Sequence, residues 1–298
     1  MEMEEGFIHP ITLFIFGFLF SQGLNLSPVA ATSTIRLGDE LNSTSQLVSN
    51  DGVFTLGFFS IEATNYSYLG IWYTKDDQSR RVWVANPNTP IKNNSGVLRM
   101  DTAGRLVITA GGTTIVVVSD KSGANAAATL EDNGNFILAD ETGKRTLWQS
   151  FDHPTNVLLP GMKLGFNRST GQNWTLTSWL SDNLPSTGAF TLSWEPTIDS
   201  ASGQLAIHRR GELYWTSGLL EGQKFVYMPI LNSDIMEYHY KLRQVFDENG
   251  NYFTFDAITG SFLMWTLLPE GNILDGGNTN FYISPADFVM GISWIMGV

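Results

Sequence analysis

Between its two ends the chain has almost no helical periodicity. Short runs in which aromatic and β-branched residues alternate with polar ones are separated by clusters of Asn, Asp, Gly and Ser, which predicts an all-β chain. Examples are YLGIWY at residues 68–73, RVWVA at 81–85 closed by the Pro-bearing turn NPNTP, and residues 115–118. A small unit recurs: a polar turn, then Gly-x-[Phe/Leu]-x-[Leu/Ile]. It is written NDGVFTL around Gly52, DTAGRLVI around Gly104 and EDNGNFIL around Gly134. Glycine tolerates the positive φ that ends a tight turn, and the strand period of two then sends the following apolar pair to one face. Phe54 with Leu56, Leu106 with Ile108, and Phe136 with Leu138 are therefore expected to point inward. Three such hairpins can bury their apolar faces around a common axis, as repeat units do when none can form a core alone. The unit returns at Gly188, Gly203, Gly211 and Gly260. Two related lobes follow from this, with a boundary in residues 146–165, where Pro154 and Pro160 interrupt strand pairing.

The ends differ from the body. Residues 11–20, ITLFIFGFLF, have the length of a signal-peptide apolar region and fall short of the ~20 residues needed to span a bilayer. Val29-Ala30-Ala31 suits cleavage after Ala31, giving a leader of residues 1–31. The start MEMEEG is acidic where such leaders are usually basic, so a buried hydrophobic strand is the alternative reading. Six Asn-x-Ser/Thr sequons support secretion, at Asn25, Asn42, Asn65, Asn93, Asn167 and Asn173. Asn25 leaves with the leader; the other five lie in polar stretches where a surface glycan can be accommodated. At the far end Ser284-Pro285-Ala286-Asp287 reads as a helix start, and the apolar residues 288–298 either dock on the body or form a sticky tail.

Composition narrows the function. The 298 residues carry 17 basic and 29 acidic side chains, a net charge of −12, so nucleic acid is excluded as a natural partner. Hydrophobic residues at 43% suffice for a core. Without any Cys there is no disulfide, thiolate metal site or Cys nucleophile in this chain. The four His residues, His9, His153, His208 and His239, show no metal-ligand spacing, no Gly-x-Ser-x-Gly elbow exists, and Asp76-Asp77 reads as a solvated loop pair. Trp72, Trp83, Trp148 and Trp179 sit in alternating apolar runs and are expected in the core.

The ordered segments TSTIRLGDEL, LVSNDGVFTLGFFS, YLGIWYTK, RVWVANPNTPI, LEDNGNFILAD, LWQSFDHPTNVLLPGMKLG and LTSWLSDNLPSTGAFTL cover most of residues 32–275. They resemble the extracellular domain of plant S-locus glycoproteins and G-type lectin S-receptor-like serine/threonine kinases. The resemblance implies tandem bulb-lectin-like β-prism lobes: a bulb-type lectin domain at residues 32–152, a related S-locus glycoprotein lobe at 153–275 and a divergent tail at 276–298. Relatives continue into Cys-rich EGF-like and PAN modules, a transmembrane helix and a kinase. This sequence has no Gly-rich phosphate loop, VAIK-like strand or HRD-like loop, so the expectation is a non-enzymatic chain without cofactor or metal. The resemblance further implies a secreted or cell-surface recognition module, in a family associated with pollen self-recognition and defence signalling. Its expected partners are mannose-type glycans, or a peptide or protein ligand, with a dimer formed with itself or a related ectodomain. An amino-terminal part of a full receptor kinase is the alternative.

The family's mannose signature is Gln-x-Asp-x-Asn-x-Val-x-Tyr, whose alternate residues line one strand face. In the third repeat the outward phase carries Glu131, Asn133, Asn135, Ile137 and Ala139, in which Asn135 matches and Ile137 is conservative. Asp132 takes the place of the Asp if the turn holds one extra residue. Asp132, Asn133, Asn135 and Ile137 are accordingly the candidate carbohydrate-binding set, against the reading that the polar three merely form a turn. The second repeat offers only Val107 from Asp101, Ala103, Arg105, Val107 and Thr109. The first offers only Asp51 from Ser49, Asp51, Val53, Thr55 and Gly57.

Overall fold

The computed structural model describes residues 32–284, apart from 62–63, 124, 141–144, 200–201, 229–239, 260–261 and 277–281. The leader, His9, Asn25, His239, the Gly260 turn and the apolar tail lie outside the described residues.

The all-β reading holds. Among the described residues there are six antiparallel sheets and a single short 3-10 turn, Ser150–Asp152. The sheets fall into two sets with the same nested order. In the first set, Thr34–Arg36 joins the last three strands, Ala126–Leu130, Phe136–Asp140 and Thr146–Gln149. Glu40–Asn42 joins the middle three, Gly96–Met100, Leu106–Ala110 and Thr113–Val117. Gln46–Val48 opens a meander through Phe54–Ile61, Tyr66–Tyr73 and Arg81–Val84. The second set repeats the scheme. Val157–Leu158 pairs into a sheet with Trp265–Leu267, Ile273–Asp275 and Tyr282–Ser284. Leu164–Asn167 lies beside Gly250–Ala257, and Leu176–Ser181 opens a meander that runs to Lys224–Phe225. In each set the meander is local, whereas the other two sheets each join an early strand to late ones, so those two form only when the set closes.

The repeated turn explains why. Gly52, Gly104 and Gly134 have φ of 71°, 76° and 86°, and in each turn the glycine N–H donates three residues back, to the carbonyl of Ser49, Asp101 and Glu131. The strand that leaves each turn then drives its two apolar residues inward. Leu56, Leu106, Ile108, Phe136 and Leu138 are all fully buried and Phe54 nearly so, each stabilising the fold by roughly 1.5–3 kcal/mol. In the second set the glycines have other uses. Gly211 has the turn φ of 90°, but Gly188 lies inside Leu184–Pro196, where a Cβ would meet the Trp179 carbonyl at 2.2 Å. Gly203 opens a strand with a Cβ position 2.3 Å from the Trp194 ring. The motif there marks close approach rather than a turn.

One buried cluster runs through both sets. Tyr73 Oη donates to the Leu263 carbonyl at 2.9 Å and Trp83 Nε1 to the His153 carbonyl at 2.9 Å. Two expectations change. Asp76 is not solvated: it is buried and bound by the Arg80 backbone N–H and guanidinium, while Asp77 is exposed. Trp83 and Trp148 are core residues as expected, whereas Trp72 and Trp179 are only half-buried.

Candidate functional site

The third repeat closes on a four-residue turn in which Glu131 N donates to the Asn135 carbonyl at 2.9 Å and Gly134 N to the Glu131 carbonyl at 3.0 Å. Asn133 Oδ1 accepts the Asn135 backbone N–H at 2.9 Å, so its side chain shapes the turn. From here the structure scatters the four candidates. Asn135 is buried, at 5% exposure, rather than outward. Its Nδ2 donates to Gln149 Oε1 at 2.9 Å, and its Oδ1 accepts from Ser150 Oγ at 3.1 Å and Phe151 N at 3.2 Å. The reason is the neighbouring chain: after Gln149 the backbone leaves the sheet into the 3-10 turn, and the Asn135 carboxamide satisfies groups that lose their ladder partners there.

The bonds continue beyond Asn135. Ser150 Oγ also accepts the Phe136 N–H at 2.9 Å, Gln149 Nε2 donates to Asp152 Oδ2 at 2.9 Å, and Trp174 Nε1 donates to Asp152 Oδ1 at 2.9 Å. A continuous polar chain thus runs from the third repeat to Asn173–Trp174 in the second set. His153 stacks on Trp148 at 5.4 Å, and burial holds its imidazole below the ordinary range although Asp152 pulls the other way. The segment WQSFDH therefore forms a clamp on Asn135. The sequence carried the signal in the length and order of that segment, but nothing in Gln149 or Ser150 alone assigns them to Asn135.

Asp132 and Asn133 face one side of this clamp. They line a hollow of about 440 Å³ with Asp51, Lys75, Tyr73 and Phe262, and Asp132 Oδ1 accepts the Asp51 N–H at 2.7 Å. Ile137 faces the other. It lines a shallow recess of about 300 Å³ with Glu131, Thr34, Arg36 and Ala139. The outward phase of the other repeats is also largely closed: Ser49, Thr55, Val107 and Thr109 are buried, and only Asp51 and Val53 of the compared positions there are clearly open apart from the turn residues Ala103 and Arg105. Asn42, Asn65, Asn93 and Asn173 are exposed and Asn167 half-exposed. Asn65 Nδ2 donates to Asn93 Oδ1 at 2.8 Å. Among the described residues no group of acidic and His side chains is arranged to hold a metal. No helix there is long and apolar enough to cross a membrane.

Fold and repeat together define a bulb-lectin-type all-β recognition module. The D-mannose binding lectin family model matches residues 81–180. Among similar proteins, the G-type lectin S-receptor-like serine/threonine-protein kinase CES101 of Arabidopsis thaliana is 42% identical over 70% of this chain and 24% of its own length. A second kinase of that name class from the same plant is 39% identical over 76% of this chain and 28% of its own. An S-locus-specific glycoprotein of Brassica oleracea is 36% identical over 70% of this chain and 50% of its own. The chain belongs to the family of G-type lectin S-receptor-like kinases and S-locus glycoproteins. It spans about a quarter of the length of the kinases it matches. The matched domain is a lectin domain, which is non-enzymatic. Solved structures with some likeness include a monomeric monocot mannose-binding lectin from Gastrodia elata. It has a TM-score of 0.32 and 21% identity, over 40% of this chain and 96% of that one. A two-domain fetuin-binding lectin from Scilla campanulata has a TM-score of 0.29 and 13% identity, over 85% of this chain and 87% of that one.

Proposed function

We propose that this chain is an extracellular, non-enzymatic recognition module that keeps the lectin frame and binds a protein or peptide ligand, without a mannose grip on its third repeat. The observation that carries this reading is the inward Asn135. Both ends of its carboxamide are committed to Gln149, Ser150 and Phe151, and the signature's Tyr position is Ala139. A polar sugar site that lacks its hydrogen-bonding groups loses affinity steeply. The units we assign are a leader at 1–31, lobes at 32–152 and 153–275, and a tail at 276–298. Surface glycans on Asn42, Asn65, Asn93, Asn167 and Asn173 fit secretion. Where the module is joined to a kinase, as in its relatives, ligand capture would serve cell-surface signalling of the self-recognition or defence kind.

A second reading has its own observation. Asp132 and Asn133 stand with Asp51 and Lys75 at the rim of the 440 Å³ hollow, beside Tyr73 and Phe262, and carboxylates and amides around aromatic rings are sugar-binding chemistry. A glycan array on the secreted full chain, with Asn133→Ala and Ile137→Asp beside it, separates the two. Silence toward mannose-type glycans in all three proteins is the expected result. Mannose binding lost in Ile137→Asp would overturn the proposal, and binding lost in Asn133→Ala alone would establish the second reading.

A further inference from the structure

A large cleft beside the first meander goes beyond the lectin question. It is about 1110 Å³ and is walled by Phe59 and Ile61 from the first set and by Trp179, Leu268 and Leu274 from the second. Arg81, at its floor, is an unusual cation. Its guanidinium lies 4.5 Å from the ring centres of both Phe59 and Trp72, and its Nη1 donates to the Ser79 carbonyl. Among the described residues no carboxylate pairs with it; the nearby Asp76 is taken by Arg80, whose Nη1 also donates to the Gly276 carbonyl. Burial lowers the Arg81 pKa to about 10, a measure of how poorly its charge is solvated. The two rings hold the guanidinium in place, and Arg81 Nε is buried without any hydrogen-bond partner.

Two more residues lining the same cleft hold buried polar atoms without partners: the Trp179 indole N–H, a donor, and Asn156 Oδ1, an acceptor, on a side chain only 6% exposed. Leaving such atoms unpaired costs roughly 1–3 kcal/mol each. One unmatched donor, one unmatched acceptor and one poorly solvated cation without a paired carboxylate form a specific request. A peptide group supplies a carbonyl for the indole and an N–H for the carboxamide, and a carboxylate supplies the bidentate partner that a held guanidinium prefers. The apolar wall of Ile61, Leu268 and Leu274 would take side chains. An acidic sugar, polar on its edges throughout, would leave that wall uncovered. The volume exceeds the usual 300–1,000 Å³ of small-molecule pockets and suits a short extended segment.

We propose that this cleft binds an acidic peptide segment, with a carboxylate on Arg81 and a peptide group between Trp179 and Asn156. The site stands whether or not any lectin face binds sugar. The other acidic group at the cleft, Asp182, is exposed and would repel the ligand. The test uses the secreted full chain and a library of extended pentapeptides. These are made with free or amidated C-termini and with or without Asp or Glu, alongside oligogalacturonates, and binding is read by Trp fluorescence and titration calorimetry. The expected result is binding only of carboxylate-bearing peptides. Arg81→Lys, which keeps the charge and loses the fork, should weaken it at least about tenfold, and Asp182→Ala, on the surface, should tighten it. The amidated arm tells a C-terminal from a side-chain carboxylate. Peptides that bind equally to Arg81→Lys and to Asp182→Ala, oligogalacturonates that bind in place of peptides, or no binding by correctly folded protein would each overturn the proposal.

Discussion

Replacing Asn135 by Ala separates a structural carboxamide from a sugar ligand. The substitution deletes three side-chain hydrogen bonds, to Gln149 Oε1, Ser150 Oγ and Phe151 N. At about 1 kcal/mol net each, the loss is ~3 kcal/mol, and any donor left buried and unpaired adds to it. For a chain of this size each kcal/mol moves Tm by about 2–4 °C, so Asn135→Ala should melt roughly 6–12 °C below the parent. Differential scanning calorimetry of the full chain measures this, with Ile137→Thr on the recess wall as the comparison, expected within ~2 °C. If Asn135→Ala melts with the parent, the carboxamide is not a clamp and the account of the third repeat is wrong.

Three further outcomes are expected. Gly104→Ala should cost far more stability than Gly52→Ala. Both have positive φ, but a Cβ at Gly104 would stand 2.4 Å from the Gly123 carbonyl while that at Gly52 meets open space. Urea unfolding should show ~1 kcal/mol for Gly52→Ala and several-fold more for Gly104→Ala. His153, held below its ordinary 6.5 mainly by burial, binds its proton less readily folded than unfolded. Its contribution is present above pH 6.5 and is lost as the pH falls from 6.5 toward the lower folded value; His153→Gln should flatten the Tm profile in that window. For Asp76, burial opposes ionisation, but the hydrogen bonds and charge of Arg80 outweigh it and hold the carboxyl below 3.8. The stability it confers is present above 3.8 and is lost as pH falls through the folded value, so Asp76→Asn should be destabilised at pH 6 and converge on the parent in acid.

The fold was legible because strand period and turn chemistry are local. Gly52, Gly104 and Gly134 announced their turns, and Phe54 to Leu138 followed from the period of two. The site was less so. Asn135 sits in the outward phase of its strand by count, yet the backbone leaving the sheet after Gln149 recruits it, and that is a contact across 14 to 16 residues which periodicity does not encode. Asp76 was misread for the same reason in miniature: its neighbour in sequence is Asp77, but its partner is Arg80, brought back by the turn. Gly188 and Gly203 show one motif serving a second purpose: where Gly52 and Gly211 supply a positive φ, these two allow a close approach. Nothing in the order of residues places Arg81, Asn156 and Trp179 around one cleft; only the closing of both sets does so.

The most direct test of the central claim watches Asn135 itself. In this chain labelled with ¹⁵N, its side-chain amide pair is assigned by its absence in Asn135→Ala or, should that variant unfold, by selective Asn labelling, and methyl α-mannoside is titrated to millimolar concentration. The account predicts that the Asn135 Nδ2 signals stay protected from exchange and do not move. A saturable shift of those signals would mean that the carboxamide turns outward to hold a sugar, and the third repeat would then be a working mannose site.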